Sequence, residues 1–334
     1  MSTELSIYKN NRINELRNSF NSNVSRLNNI LSINIINIKN SRRLSLKQKQ
    51  QQINNLINQF NSNYNTLLNI LNNNISIIKN FTPNPIIINR NKKALLIGIN
   101  YLGTQNQLNG CINDINCIRE RISNNGFNDI TVLSDNTSLK PTKRNILNAF
   151  SNLLSNSQKG DLLFFAYSGH GSYDIDRSGD EMTGYDQLIV PLDFNMIYDD
   201  ELKKIIQTNL KPNVTLFAMF DSCFSGSVLD LRYQYMDSLN YDNYTENIRE
   251  TETTGDVFMI SGCNDYQTSA DAVINNKDNG AMTWSLLESL KQYPNCTWRE
   301  LLKSMRVLLK DSDFEQIPQF SSGKFENIDD KVFI

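Results

Sequence analysis

The first eighty residues carry one hydrophobic rhythm and the rest of the chain carries another. Apolar residues fall at Ile13, Leu16, Phe20, Val24, Leu27, Leu31, Ile35 and Ile38. They fall again at Ile53, Leu56, Phe60, Tyr64, Leu67, Leu71, Ile75 and Ile78. Steps of three and four are a helical stripe, here nearer an eleven-residue than a seven-residue period. Residues 13–40 align without gaps on 53–80 with roughly three in five positions identical, so residues 1–80 contain an internal repeat. The pattern predicts two long amphipathic helices, 13–40 and 53–80, joined by the basic linker Ser41–Gln50. They would pack antiparallel or against a partner. Asn is abundant here and is a poor helix former, so packing must hold these helices. The competing reading is a disordered low-complexity tract, against which stands the apolar spacing kept in both copies.

Residues 81–91, with Pro83 and Pro85, read as a linker. From Lys92 the rhythm changes to short, continuous apolar runs: Ala94–Ile99, Ile130–Leu133, Asp161–Tyr167, Gln187–Val190, Val214–Phe220 and Val257–Ile260. Such runs are strands buried on both faces of a parallel sheet. Helical segments alternate with them: Cys111–Asn125 closed by Gly126, a helix to Leu154 with Thr142 as N-cap, Asp199–Thr208, Gly280–Gln292, and Thr297–Lys310 opened by a Thr297–Glu300 capping box. The expected fold is α/β, a mostly parallel central sheet with helices on both faces, over residues 92–334. A polar stretch, residues 231–255, divides that domain into 92–230 and 256–334.

Composition changes the picture in two places. The formal net charge of −2 hides an imbalance, because residues 1–90 hold 11 Lys and Arg against Glu4 and Glu15, about +9, leaving about −11 beyond. The basic residues of the extension are spread among Asn rather than clustered, so neither nucleic acid nor a membrane surface is expected as a partner. The five cysteines lack CxxC spacing and there is one histidine, which leaves no credible zinc site and favours a reduced, cytoplasmic protein. The absence of an apolar leader or a long apolar run predicts a soluble chain.

That single histidine, His170, ends the Asp161–Tyr167 run in Ser168-Gly169-His170-Gly171. Cys223 ends the Val214–Phe220 run in Asp221-Ser222-Cys223. Two buried strands delivering an imidazole and a thiol to one sheet edge, where open α/β sheets place ligands, predict a nucleophile and its base. The main-chain N–H groups of Gly171 and Cys223 are the natural oxyanion donors. Period two puts Ser168 on the face of His170 and Asp221 on that of Cys223. A carboxylate so near a thiol hinders its ionisation unless it has other work. Binding a cationic substrate side chain is such work, with Asp114 a second carboxylate; the alternative for Asp114 is dipole stabilisation in a helix's first turn. Carboxylates are dense after the histidine, at Asp174, Asp176, Asp180, Glu181, Asp186, Asp193, Asp199, Asp200 and Glu201. They suit a hard cation held from separate loops, or simply a solvated acidic loop.

From Lys92 onward the chain resembles the metacaspases of the caspase-like cysteine peptidase group. The resemblance rests on KKALLIGINY (92–101), LNGCINDI (108–115), YSGHG (167–171), SGDEMTGYDQLIVPLDF (178–194), DDEL (199–202), DSCFSGSVLDL (221–231), ISGCNDYQTSADA (260–272) and GAMTWSLLESL (280–290). The short connection at 231–255 and the N-terminal extension resemble the type I arrangement. The resemblance implies a caspase-like fold, a dyad of His170 and Cys223, and a pocket of Cys111, Asp114, Ser168 and Asp221 that accepts Arg or Lys. It also implies calcium ligands at Asp186, Asp199, Asp200 and Asp230, Ca²⁺-stimulated activity and a monomeric catalytic domain. Phe224 departs from it, standing where the family commonly has His; that residue is not the base, so catalysis should survive. Residues 1–90 do not resemble the family's familiar extensions.

The expected activity is a Ca²⁺-dependent cysteine endopeptidase cleaving protein and peptide substrates after Arg or Lys. Basic residues in segments expected to be exposed, Arg42, Arg43, Arg90, Lys92, Lys93, Arg232 and Arg249, are candidate self-cleavage sites. The rival expectation is a catalytically idle caspase-like scaffold acting through its helical extension, whose helices pack on the catalytic domain or on a partner. The dyad, pocket and cation positions, all intact together, weigh against idleness.

Overall fold

In the computed structural model the described residues are 2–80, 91–176, 184–235, 244–247, 249–262, 271–274, 277–326 and 328–334. The chain divides into two compact units, Met1–Ile86 and Ile87–Ile334. The first is a helical hairpin of α1 (Ser2–Asn40) and α2 (Leu46–Asn80). The helices run antiparallel: Lys9 Nζ donates to the carbonyl of Lys79, Lys49 Nζ to that of Lys39, and Phe20 meets Tyr64 edge-on at 5.8 Å. The repeat therefore packs its two copies against each other through equivalent stripes, with Ile13 and Ile78 buried. The connection is shorter than the expected Ser41–Gln50, because Ser45 and Gln48 cap each other and start α2 at Leu46. Ile30, Ile33, Ile36 and Ile70 remain exposed. No described helix is long and apolar enough to cross a membrane.

The second unit begins with β1 (Lys92–Gly98), α3 (Cys111–Asn124), β2 (Asp129–Ser134), α4 (Lys143–Ser155) and β3 (Leu162–Ser168). A small antiparallel sheet follows, β4 (Gly171–Ile175), β5 (Tyr185–Ile189) and β6 (Ile197–Tyr198), then α5 (Asp199–Asn209) and β7 (Thr215–Asp221). The remainder is β8 (Tyr233–Tyr235), β9 (Thr245–Glu246), β10 (Asp256–Ser261), the hairpin β11 (Asp271–Ile274) and β12 (Lys277–Gly280), α6 (Ala281–Gln292), α7 (Trp298–Asp311) and β13 (Gln319–Ser322). The main sheet runs β2-β1-β3-β7-β10-β13-β8-β9. Its first five strands are parallel and the last three join antiparallel.

The apolar runs become the inner strands because each is buried on both faces; every residue of β3, β7 and β10 is buried. One face packs Ile97, Phe165, Phe220 and Leu216 under α4 and α5. On the other face Trp298 of α7 stacks on Phe217 and Phe258 at 5.7 and 5.6 Å. The caps act as read from sequence: Thr142 accepts from the N–H of Asn145, and Thr297 and Glu300 complete a reciprocal box. Lys92 and Lys93 do not lie in an exposed segment ahead of the domain. They open β1, pair with β2 and β3, and spend their ammonium groups on the carbonyls of Asn125 and Asn156. A peptidase cannot reach a peptide bond inside such a strand, which corrects the expectation of cleavage at these two residues. Arg90, Asp180 and Glu181 lie outside the described residues.

Candidate active site

The register of two parallel strands decides where the imidazole and thiol go. In the β3–β7 pair Leu162 lies opposite Thr215 and Ser168 opposite Asp221. Both strands therefore end level at the same sheet edge, and two residues beyond each end stand His170 and Cys223. The two turns touch: a methyl group on Gly171 would collide with the carbonyl oxygen of Cys223, so only glycine lets them approach. The N–H of Gly169 donates to the carbonyl of Asp221 at 3.3 Å across the same gap. His170 and Cys223 are both part-exposed, and Cys223 is a thiol in no disulfide. Phe224, immediately after it, adopts a left-handed backbone (φ 52°) and packs edge-on against Tyr173 at 4.9 Å.

The imidazole is oriented by a group that sequence reasoning missed. Its Nε2 lies 2.7 Å from the carbonyl oxygen of Asn106. A carbonyl only accepts, so Nε2 carries the proton and Nδ1 is left as the basic nitrogen. Asn106 belongs to the loop between β1 and α3, whose ends are fixed by Asp135, accepting from the N–H groups of Asn100 and Leu102, and by Asn100, accepting from that of Ile112. Main-chain oxygens have no sequence signature, so composition could not reveal this partner.

Beside the two turns, Asp114, Ser168 and Asp221 come together as buried polar groups, with buried Cys111 at the start of α3. Ser168 Oγ donates to Asp114 at 2.7 Å and the N–H of Gly280 donates to its other oxygen at 2.9 Å. Thr283 donates to Asp221 through its main-chain N–H (2.8 Å) and its hydroxyl (2.7 Å). A methyl group on Gly280 would press on both carboxylates at once, so the two acids face a common point. Gly280 and Thr283 come from the start of α6, after the polar division of the domain. The motif at 280–290 was visible in sequence, but not that it closes this pocket.

A second acidic group forms where β5, α5 and the turn after β7 meet. Asp199, fully buried, accepts from the N–H groups of Gln187 (2.6 Å) and Asp200 (2.9 Å). Burial, with Asp230 and then Asp186 as charged neighbours, pushes its carboxyl up to about 8. Lys203 of α5 puts its ammonium into this group, 2.8 Å from Glu250, 3.5 Å from Asp230 and 4.0 Å from Asp200. Among the described residues no three His, Cys, Asp or Glu side chains already form a metal cage. Of the remaining basic candidates, Arg42, Arg43 and Arg249 are exposed. Arg232 is part-buried, paired with Glu246 at 2.7 Å and donating to the carbonyl of Glu250.

The architecture defines the class first: an α/β domain whose parallel core ends in a polar, carboxylate-rich edge. It resembles a crystal structure of a Geobacter sulfurreducens protein, with a TM-score of 0.55 and 24% identity, covering 73% of this chain and 98% of that one. A family model described as metacaspase, peptidase C14 domain, matches residues 92–232. Curated relatives include Metacaspase-1 of Meyerozyma guilliermondii, 36% identical over 286 residues, covering 70% of this chain and 69% of that protein. Metacaspase-1A of Aspergillus terreus is 38% identical, covering 69% and 70%. The chain belongs to the metacaspase family, and its enzyme class is therefore that of a cysteine peptidase.

Proposed function

We propose that the protein is an endopeptidase that cleaves after Arg or Lys with Cys223 as nucleophile and His170 as base. The observation that carries this is the level ending of β3 and β7, with Gly171 letting the two turns touch. Nδ1 of His170 takes the thiol proton, and the thiolate attacks the substrate carbonyl. The N–H groups of Gly171 and Cys223 receive the oxyanion. Collapse breaks the C–N bond, leaves a thioester on Cys223, and returns the proton from His170 to the departing amine. Water then enters by the reverse sequence, giving the carboxylic acid and the free thiol. The Asn106 carbonyl stabilises the imidazolium between these transfers.

The pair Asp114 and Asp221 offers two buried carboxyl groups to a cationic side chain, and an Arg guanidinium can engage carboxylates bidentately. Both acids are already oriented by Ser168, Gly280 and Thr283, so the pocket is preorganised rather than assembled on binding. Cys223→Ala should abolish cleavage of Arg- and Lys-containing peptides. Equal hydrolysis of Asp-ending peptides by the intact enzyme would overturn the pocket assignment.

We infer further that Ca²⁺ stimulates the enzyme. Asp186, Asp199, Asp200 and Asp230 supply the oxygen donors a hard cation takes, from β5, α5 and the turn after β7, and burial together with the neighbouring charges of Asp230 and Asp186 raises Asp199. A bound divalent charge would favour the ionised form of Asp199 and tie β5 to α5. Comparing activity with Ca²⁺ and with chelator, in the parent and in Asp200→Ala, tests this; indifference to chelator rejects it. Self-cleavage is assigned to the exposed Arg42, Arg43 or Arg249, read from the new N-termini of fragments formed after Ca²⁺ is added.

A further inference from the structure

Both main-chain polar groups of His170 are held by buried phenols. Its N–H donates to Tyr101 Oη at 2.9 Å, and its carbonyl accepts from Tyr167 Oη at 2.8 Å. The Tyr101 hydroxyl donates its own hydrogen bond to the carbonyl of Val190 at 2.6 Å, and the two hydroxyls lie 3.2 Å apart. Val190 in turn donates its N–H to the carbonyl of His170 at 3.0 Å. The histidine turn is thereby fastened to the end of β5. The Tyr101 ring also lies against the imidazole, centroids 4.7 Å apart. Tyr101 holds a left-handed backbone (φ 53°), a conformation that costs a bulky residue energy and persists where the surroundings dictate it. Gly169 has no side chain for the same reason: a methyl there would lie 2.7 Å from Tyr167 Oη and 3.0 Å from Tyr101 Oη. Burial pushes both phenols far up, so they stay neutral and keep donating at any working pH.

We propose that Tyr101 and Tyr167 are positioning residues that set the angle of His170 toward Cys223, so that peptide cleavage depends on two hydroxyls that never touch substrate. The proposal rests on the peptidase reading above. A ring hung from a two-glycine turn has main-chain freedom that the Asn106 contact alone does not remove, and small misplacements of a base are costly.

The test uses full-length Tyr101→Phe, Tyr167→Phe and His170→Ala. It reads kcat and KM on an Arg peptide and the pH dependence of Cys223 alkylation by iodoacetamide, located by mass spectrometry. Each Phe variant should lose kcat roughly tenfold with KM within about twofold, while its alkylation profile moves toward that of His170→Ala. Phe variants indistinguishable from the parent, alongside an inactive His170→Ala, overturn the clamp. A His170→Ala that changes neither readout overturns the peptidase reading instead. Should a Phe variant fold poorly, Gly169→Ala is the second route. It presses a methyl on both phenol oxygens and should show the same kcat loss with KM within about twofold and the same shift of the alkylation profile; a folded Gly169→Ala with the parent's kcat and alkylation profile counts against the clamp.

Discussion

Lys203 is the residue on which the proposed calcium response turns, because its ammonium already stands among the acids that would receive the ion. It is 14% exposed, while its partners Asp230 and Glu250 are 2% and 7% exposed. Charges 4 Å apart attract by about 4 kcal/mol at an effective dielectric near 20. Desolvation offsets much of that, leaving a net of about 2 kcal/mol for the contacts an incoming ion must break. Lys203→Met removes this competitor and should tighten Ca²⁺ binding roughly thirtyfold. The same substitution strands buried carboxylates, so in chelator the variant should lose about 3 kcal/mol and melt roughly 6–12 °C below the parent. Saturating Ca²⁺ should then raise its melting temperature more than it raises the parent's. Calorimetric titration in the Cys223→Ala background, which blocks self-cleavage, reads the affinity, and thermal unfolding in chelator and in Ca²⁺ reads the crossing. An unchanged or weaker Ca²⁺ affinity in Lys203→Met would refute the competition, whatever happens to activity.

Two other expectations follow from buried groups. Gly280→Ala pushes a methyl against both Asp114 and Asp221, so cleavage after Arg or Lys should fall at least tenfold while alkylation of Cys223 is unchanged; a parallel loss of alkylation would place the damage elsewhere. Glu326 is held well above the usual carboxylate range by desolvation and by nearby Asp256 and Asp330, against the weaker pull of Lys324. A carboxyl raised in the folded state stabilises fully below its unfolded pKa, and that stability is lost as pH rises through the folded value. Glu326→Gln should therefore raise the melting temperature at pH 8 and leave it unchanged at pH 4; an equal gain at both would mean charge plays no part.

The legible parts of this molecule are those in which one residue type does one local job. Buried strands announce themselves as unbroken apolar runs, and Thr142, Thr297 and Gly126 mark helix ends through their own side-chain or backbone chemistry. The strands β4, β8 and β13 were not foreseen. β4 (GSYDI) and β8 (YQY) are short and mixed in polarity, and β13 is paired only by β10 and β8, far earlier in the chain, so nothing local distinguishes them from loop. The site divides the same way. His170, Cys223, Asp114 and Asp221 are scarce or costly residues whose positions demand an explanation. Their supports are a carbonyl at Asn106, a bare Cα at Gly280 and the hydroxyls of tyrosines that read simply as core. Lys203 shows the limit most plainly. On α5 it is an ordinary helical lysine next to Lys204, and only the return of the chain at Asp230 and Glu250 turns it into a part-buried, ion-paired cation. Sequence reasoning thus finds groups whose chemistry is intrinsic and misses those whose chemistry is conferred by the neighbours the fold supplies. Tyr101, Gly280 and Lys203 are of the second kind, and for that reason substitutions there test the geometry rather than the family resemblance.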